Sequence, residues 1–372
     1  MPVPDESALS NYPIGRTALP RPEQPSVTPA ATATTAGQEP PSVIGLWREG
    51  ERSLLESLLD LERRSGAVRA AGHGKRLQER LEQVPAAALS PWIYLLYYRI
   101  GQCVLSGRQP SARLELLLDW LGCELPQGPP ASGVVSFADA GRPEWQWRDL
   151  LELFQEGGDF VADLEGPDTA ETDRWREAIT AARSLIAGVD PALHGLMEQL
   201  QSQVVLTMPG ERARRAGTSF GGATTFFFRG GSLINCAARL EPAQLLERLV
   251  HEFAHTELFV IGQDSRLCRN DDDERHQVLI RPDPRPMHGI IHALYVSARC
   301  AELFRRLLAA ELPGDTPGQG PRDGIRAMLE RVTALGRSAL EAVQKHGQLT
   351  ETGAGVVAVS RARLDLSGAD GR

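Results

Sequence analysis

Residues 242–259 of the chain read PAQLLERLVHEFAHTELF. The apolar residues of this stretch recur every three or four positions, which predicts an amphipathic helix packed against a core. Pro242 suits the first turn of this helix, because a proline there loses no intrahelical hydrogen bond. His251 and His255 are four residues apart, so we expect both rings on one face, one turn apart. Two imidazoles in this HExxH spacing can bind one metal ion.

Helical spacing also dominates the chain on both sides of this stretch. A leucine stripe from Leu46 to Leu61 predicts one helix. Further helices are predicted near residues 75–84, 89–106, 111–122, 143–156, 171–187, 191–201, 287–312 and 321–346. β-Branched and aromatic runs with glycine pairs between them predict two or three hairpin-joined strands, near 203–207, 224–229 and 232–237. We therefore expect an α+β protein, mainly α with a small β-sheet.

Composition divides the chain into four regions. Residues 1–41 hold nine of the 26 prolines and no apolar period, which predicts a disordered N-terminal tail. Residues 42–201 are predicted to form a helical region that could recognise a peptide. Residues 202–366 are predicted to form a metal-binding catalytic region with the small sheet, the HExxH helix and a charge-rich loop. Residues 367–372 are predicted to be a frayed tail.

Charge and cysteine usage exclude several classes of protein. The net charge of −8 argues against a nucleic-acid binder, which is usually basic. No run approaches the ~18 apolar residues of a spanning helix, so we expect no membrane association. The five cysteines include no CxxC pair, and the N-terminal residues lack the basic segment and apolar core of a signal peptide, so we expect none. We therefore expect a cytoplasmic protein with reduced thiols.

A third ligand for the predicted ion is available in a later segment, 281–293, which reads RPDPRPMHGIIHA. His288 and His292 are again four residues apart, and either could complete a set of three nitrogens. Glu302 and Asp264 are further candidates, of the kinds used in two classes of zinc peptidase. The sequence pattern leaves these alternatives open, and it places the metal site between the HExxH helix and a following helix.

The HExxH spacing serves two chemistries. In zinc peptidases, Glu252 would be the general base that activates a metal-bound water. A redox metal such as Fe(II) instead uses three protein ligands and leaves positions open for a chelating 2-oxo acid and O2. A cationic residue must then hold the far carboxylate of the 2-oxo acid. Arg281 and Arg285, on a proline-stiffened segment, are the candidates.

The stretch from about Gly221 to Phe304 resembles the HExxH-motif family of iron- and 2-oxoglutarate-dependent peptide β-hydroxylases. These enzymes tailor ribosomally synthesised precursor peptides. The likeness lies in LVHEFAH at residues 249–255, followed by a long loop that ends in RP at 285–286 and GIIHA at 289–293. It covers roughly a quarter of the chain.

The resemblance implies both a ligand set and an activity. Matched residue by residue, it places Fe(II) on His251, His255 and His292, with His288 as the alternative third ligand. It makes Arg285 the contact of 2-oxoglutarate, which together with O2 would be the co-substrate. The implied reaction is hydroxylation of a β-carbon in a precursor peptide. A zinc metallopeptidase with Glu252 as general base is the alternative.

Overall fold

The computed structural model describes residues 42–65, 90–106, 133–137, 144–155, 163–217, 220–310 and 321–365. The tails predicted at 1–41 and 367–372 lie outside the described residues, as do the helices predicted near 75–84 and 111–122. The described chain is mostly helical with a small mixed sheet, so the α+β prediction is confirmed. None of the described helices is long and apolar enough to cross a membrane.

The described residues divide into two compact units. The first contains helices α1 (Val43–Ser65) and α2 (Pro91–Leu105). In each helix the apolar face is buried, as shown by Leu55 in α1 and Trp92 in α2, which are both fully inaccessible to solvent. The predicted leucine stripe therefore marks a helix that packs into a core.

The second unit contains the sheet and the remaining helices. In chain order its elements are β1 (Gly133–Ser136), α3 (Glu144–Gln155), β2 (Leu164–Glu165), α4 (Thr169–Val189), α5 (Pro191–Leu200), β3 (Gln203–Pro209), α6 (Glu211–Arg215), β4 (Gly222–Thr224), a 3-10 turn (Phe226–Phe228), β5 (Gly231–Asn235), α7 (Pro242–Ile261), β6 (Arg275–Val278), β7 (Arg281–Pro286), α8 (Met287–Ala309), α9 (Pro321–His346) and α10 (Glu351–Asp365). The regional boundary that we predicted between residues 201 and 202 falls inside this unit, because β1 pairs with β3 across it.

The sheet departs from the predicted set of hairpins. Among the described residues it has five strands in the order β1-β3-β5-β4, and β2 pairs with the end of β3. The β1–β3 and β3–β5 pairs are parallel, whereas β4–β5 is antiparallel. Parallel neighbours require crossover connections rather than tight turns, and α4 and α5 lie in the connection between β1 and β3. The sequence has no periodic pattern that predicts the short strand β1 or these long-range pairings.

The strand predicted at 224–229 is a second correction. Strand β4 ends at Thr224, and the three phenylalanines that follow form a 3-10 turn. The Thr225 hydroxyl accepts a hydrogen bond from the backbone N–H of Phe227 at 3.4 Å, which favours the turn. A side chain on Gly231 would collide with Phe228, so the glycine lets this ring pack against β5.

The predicted charge-rich loop, which follows the HExxH helix, contains a two-stranded sheet instead. Strands β6 and β7 pair antiparallel, with His276 opposite Arg285. Three prolines lie in β7, and proline is tolerated there because this strand lies at an edge. The hairpin leads directly into α8, since Pro286 ends β7 and Met287 begins the helix.

Helix α8 lies at the centre of the helical layer, in contact with α7, α9 and α10. Its Tyr295 and Phe304 are buried, as is Phe253 of α7. Helix α10 was not predicted, because small residues interrupt its apolar spacing. The packing of α7 against α8 is what positions the candidate site.

Candidate metal centre

Helix α7 begins at Pro242, as predicted, and ends at Ile261. Its first turn is closed by a capping box in which the backbone N–H of Glu241 donates to the side chain of Gln244 at 2.9 Å. Fourteen of its residues are buried, which fixes the helix between the sheet and the other helices. The two histidines of the motif are therefore carried on a rigid element.

His251 and His255 lie on one face of α7, with ring centroids 5.1 Å apart. His251 Nδ1 lies 3.1 Å from Oε1 of Glu247, one turn earlier on the helix. Burial opposes protonation of His251, but the Glu247 carboxylate outweighs it and raises the pKa of His251. For His255, burial and the neighbouring histidines hold the pKa well below its usual value, which keeps this ring neutral. A neutral imidazole is the form that binds a metal.

Helix α8 brings His292 to this face. Its Nδ1 lies 3.4 Å from Nδ1 of His255, and the two ring centroids are 5.7 Å apart. Burial lowers the pKa of His292 to about 3, so this ring is neutral as well. All three rings, those of His251, His255 and His292, are half-buried and reach solvent in part.

His288 points to a different partner. Its Nδ1 lies 3.6 Å from Oδ1 of Asp272, and Asp272 also lies 3.5 Å from the guanidinium of Arg266. His288 thus contacts the acidic loop before β6, which carries the run DDDE at residues 271–274. Of the two candidate third ligands in α8, it is His292 that adjoins the HExxH histidines.

The three rings adjoin but do not converge on one point. Among the described residues, no group of three or more His, Cys, Asp or Glu side chains is arranged to hold a metal ion as it stands. Metal binding by His251, His255 and His292 therefore stays a prediction. Two nitrogens that each bind the same metal ion at about 2.1 Å lie roughly 3.0 to 3.4 Å from each other when the N–metal–N angle is about 90° to 109°. The His255–His292 distance lies at the upper end of this range.

Glu252 faces the sheet and is almost fully buried. The Thr224 hydroxyl on β4 donates to Oε2 of Glu252 at 2.7 Å. Thr224 also adjoins the Ser232 hydroxyl at 3.3 Å, and the Gln201 amide donates to Ser232 at 2.9 Å. Burial raises the pKa of Glu252, although neighbouring charges and the Thr224 hydrogen bond partly oppose this. A side chain on Gly222 would collide with this carboxyl group, so the glycine makes room for it.

The two candidate cations lie on the hairpin strand that precedes α8. Arg285 is buried, pairs with His276 across the hairpin, and has Nε 3.3 Å from Oδ2 of Asp283. The backbone of Arg281 pairs with Val278 at the start of the same strand, and its side chain lies outside the described ones. The structure thus places Arg285 seven residues before His292 on a continuous strand-to-helix segment. Contact with 2-oxoglutarate stays a prediction for both arginines.

Glu302 and Asp264 are the two acidic residues that could replace His292 as the third ligand in a zinc peptidase. The first is ion-paired with arginines and the second is exposed. The Glu302 carboxylate lies 3.1 Å from the guanidinium of Arg299, 2.9 Å from that of Arg363 and 3.1 Å from that of Arg306. Asp264 is exposed beyond the end of α7.

Sequence reasoning missed two residues that shape this site. Glu247 precedes His251 by four residues, the same offset that joins His251 to His255, so helical spacing could have revealed it. Glu257 is buried and ion-paired with Arg299, with Oε2 3.0 Å from Nε of Arg299. Nothing local signals this pair, because it joins α7 to α8 across 42 residues.

Comparison with protein-family models gave no match, and comparison with curated proteins gave none either. The resemblance to iron- and 2-oxoglutarate-dependent peptide β-hydroxylases therefore rests on the quoted motifs. What the geometry adds to it is the proximity of His292 to the HExxH histidines.

Proposed function

We propose that this protein is an Fe(II)- and 2-oxoglutarate-dependent hydroxylase that acts on a β-carbon of a ribosomally synthesised precursor peptide. The observation that carries the proposal is the approach of His255 and His292, whose Nδ1 atoms from two helices are 3.4 Å apart. With His251 one turn away on α7, these residues supply three imidazoles and no carboxylate to a metal ion.

The chemical character of the three side chains fits Fe(II). Imidazole suits iron, zinc and copper alike, and a set of three protein ligands leaves positions open for a chelating co-substrate and O2. Glu247 would orient His251 by holding its Nδ1, which directs Nε2 away from the carboxylate. When bound, Fe(II) supplies the oxidative decarboxylation of 2-oxoglutarate by O2, in which one oxygen atom enters the substrate C–H bond, the other enters succinate, and CO2 leaves.

The environment of Glu252 favours this reaction over peptide hydrolysis. A general base must be free to take a proton from metal-bound water. Glu252 is instead buried against β4, where Thr224 donates to it at 2.7 Å. In the proposed enzyme it fixes the metal-bearing turn of α7 to the sheet. The zinc metallopeptidase alternative requires Glu252 to leave this contact.

Arg285 is the residue we assign to the far carboxylate of 2-oxoglutarate. It is buried beside α8, and the strand that carries it is stiffened by Pro284 and Pro286. A guanidinium can bind a carboxylate through two parallel hydrogen bonds. Arg281, at the other end of the same strand, is the alternative.

The test is reconstitution of the metal-free full chain with single metals. We expect Fe(II), 2-oxoglutarate and O2 to give succinate, and Zn(II) to give none. Arg285→Gln should keep the iron but require much more 2-oxoglutarate, and Arg281→Gln is the matched variant. Cleavage of peptides by the zinc-loaded chain, without succinate from the iron-loaded chain, would reverse the assignment.

A further inference from the structure

An aromatic row connects the protein surface with the histidines. Phe226 in the 3-10 turn meets Phe259 of α7 edge to face, with ring centroids 6.0 Å apart. Phe259 in turn lies 5.4 Å from the ring of His292 and 6.4 Å from that of His255. We refer to Phe226 and Phe259 as the aromatic row.

Phe226, the outer member of the row, is exposed although its ring contacts two other aromatic rings. Phe226 keeps 39% of its surface accessible, whereas only 8% of the surface of Phe259 is accessible. A lone exposed phenylalanine is ordinary on a protein surface. Phe226 differs because Phe227 and Phe259 both hold its ring edge to face, at 5.7 and 6.0 Å. Phe226 therefore presents a fixed apolar surface to solvent, and the buried ring of Phe259 lies between it and the half-buried histidines.

We infer that the aromatic row is the contact surface for an apolar side chain of the peptide substrate, aromatic or large aliphatic. Aromatic rings favour edge-to-face and offset contacts at these distances, so a third ring or a branched aliphatic chain can extend the row. A side chain packed on Phe226 would be separated from His292 by the ring of Phe259, and the β-carbon to be hydroxylated would belong to that side chain or to a neighbouring residue of the peptide. The reaction at that carbon rests on the proposed function, whereas the binding preference does not.

The binding preference can be measured without catalysis. The probes are pentapeptides Gly-Gly-X-Gly-Gly with X as Phe, Leu, Ser or Glu, titrated against the metal-free full chain and followed by saturation-transfer NMR. We expect binding for X as Phe and Leu, and much weaker signals for X as Ser and Glu. Equal signals for all four peptides would overturn the inference.

Variants locate the contact. Phe226→Ser should weaken binding of the Phe peptide by about twofold to tenfold, the contribution of one aromatic pair. Val359→Ser is the matched control, because Val359 is similarly exposed at 46% but lies on α10, outside the row. Phe259→Leu keeps an apolar core residue. The ratio of Phe-peptide affinity to Leu-peptide affinity should therefore fall less in Phe259→Leu than in Phe226→Ser. Unchanged binding in Phe226→Ser, or equal loss in Val359→Ser, would contradict the assignment.

A separate readout distinguishes this inference from the proposed function. The same peptides are added to the iron-loaded chain with 2-oxoglutarate, and succinate is measured. Selective binding of apolar peptides without any succinate would leave the aromatic row in place and refute the hydroxylase. Succinate formation together with equal binding of all four peptides would support the hydroxylase and overturn the assignment of the aromatic row.

Discussion

His255 and His292 lie on different helices, 37 residues apart in sequence, and their Nδ1 atoms are 3.4 Å apart. The contact exists because α7 packs against α8, and the buried Glu257–Arg299 ion pair links the same two helices. The candidate metal centre is therefore a property of one helix–helix interface.

The first prediction concerns the third ligand. His292→Ala should weaken Fe(II) binding by more than about 100-fold, which exceeds the usual effect of an outer-sphere partner. His288→Ala is the matched control on the same helix, and it should bind Fe(II) as the wild type does, because His288 faces Asp272 at 3.6 Å. Anaerobic calorimetric titration with Fe(II) measures both, and circular dichroism confirms that each variant is folded. Loss of iron in His288→Ala with retention in His292→Ala would exchange the two roles.

The second prediction concerns Glu252. Glu252→Gln keeps the size of the side chain and an oxygen that can accept from Thr224, so the fold should be preserved. In a hydroxylase, uncoupled decarboxylation of 2-oxoglutarate should persist in part, because this carboxyl group takes no proton from water. In a zinc peptidase, the same variant would lose nearly all turnover. Succinate is the quantity to measure, and its complete absence with iron still bound would support the peptidase.

The third prediction concerns the ion pair that joins α7 to α8. Glu257 and Arg299 have side chains that are only 2% and 8% exposed. Removing Glu257 leaves the buried Arg299 guanidinium with the Glu302 carboxylate alone, so Glu257→Ala should lower the free energy of unfolding by about 3 kcal/mol, the lower end of the cost of breaking a buried pair.

The control for the ion pair lies on the surface. Asp323 and Arg326 are 68% and 57% exposed in their side chains, 3.1 Å apart. Asp323→Ala should therefore cost less than about 1 kcal/mol. Urea unfolding of both variants gives the comparison, and equal losses would mean that the buried pair does not anchor the helices.

The fourth prediction concerns Gly222 on β4. A Cβ at this position would collide with Oε1 of Glu252, so Gly222→Ala must displace a buried carboxyl group. We expect a loss of about 1 to 3 kcal/mol in the free energy of unfolding, the usual cost of overpacking. Gly355 on α10 is the matched position, because nothing lies within 4 Å of its Cβ. Gly355→Ala should stabilise the protein by about 0.5 to 1 kcal/mol through helix propensity. A neutral Gly222→Ala would show that Glu252 can move freely.

The local elements could be predicted from the sequence because their signals are local. Helix α7 begins at the predicted Pro242, since a proline in the first turn and apolar residues at helical spacing depend only on neighbouring positions. The common face of His251 and His255 follows from the same periodicity. The strands β3 and β5 were also found, because each is a continuous β-branched or apolar run.

The features that could not be predicted from the sequence depend on pairs of residues that are distant along the chain. The parallel pairing of β1 with β3 joins residues about 70 positions apart, so no local pattern encodes it. The Thr224 contact of Glu252 depends on how β4 packs against α7.

Helical periodicity was enough to predict that His251 and His255 share a face, and that His288 and His292 share another, because a helix repeats every 3.6 residues. It could not choose between His288 and His292, since both stand at the right spacing. The folded structure places His292 beside His255 and His288 beside Asp272. The physical reason is that the packing of α8 against α7 and the acidic loop determines which ring faces which neighbour, and that packing depends on the whole buried interface.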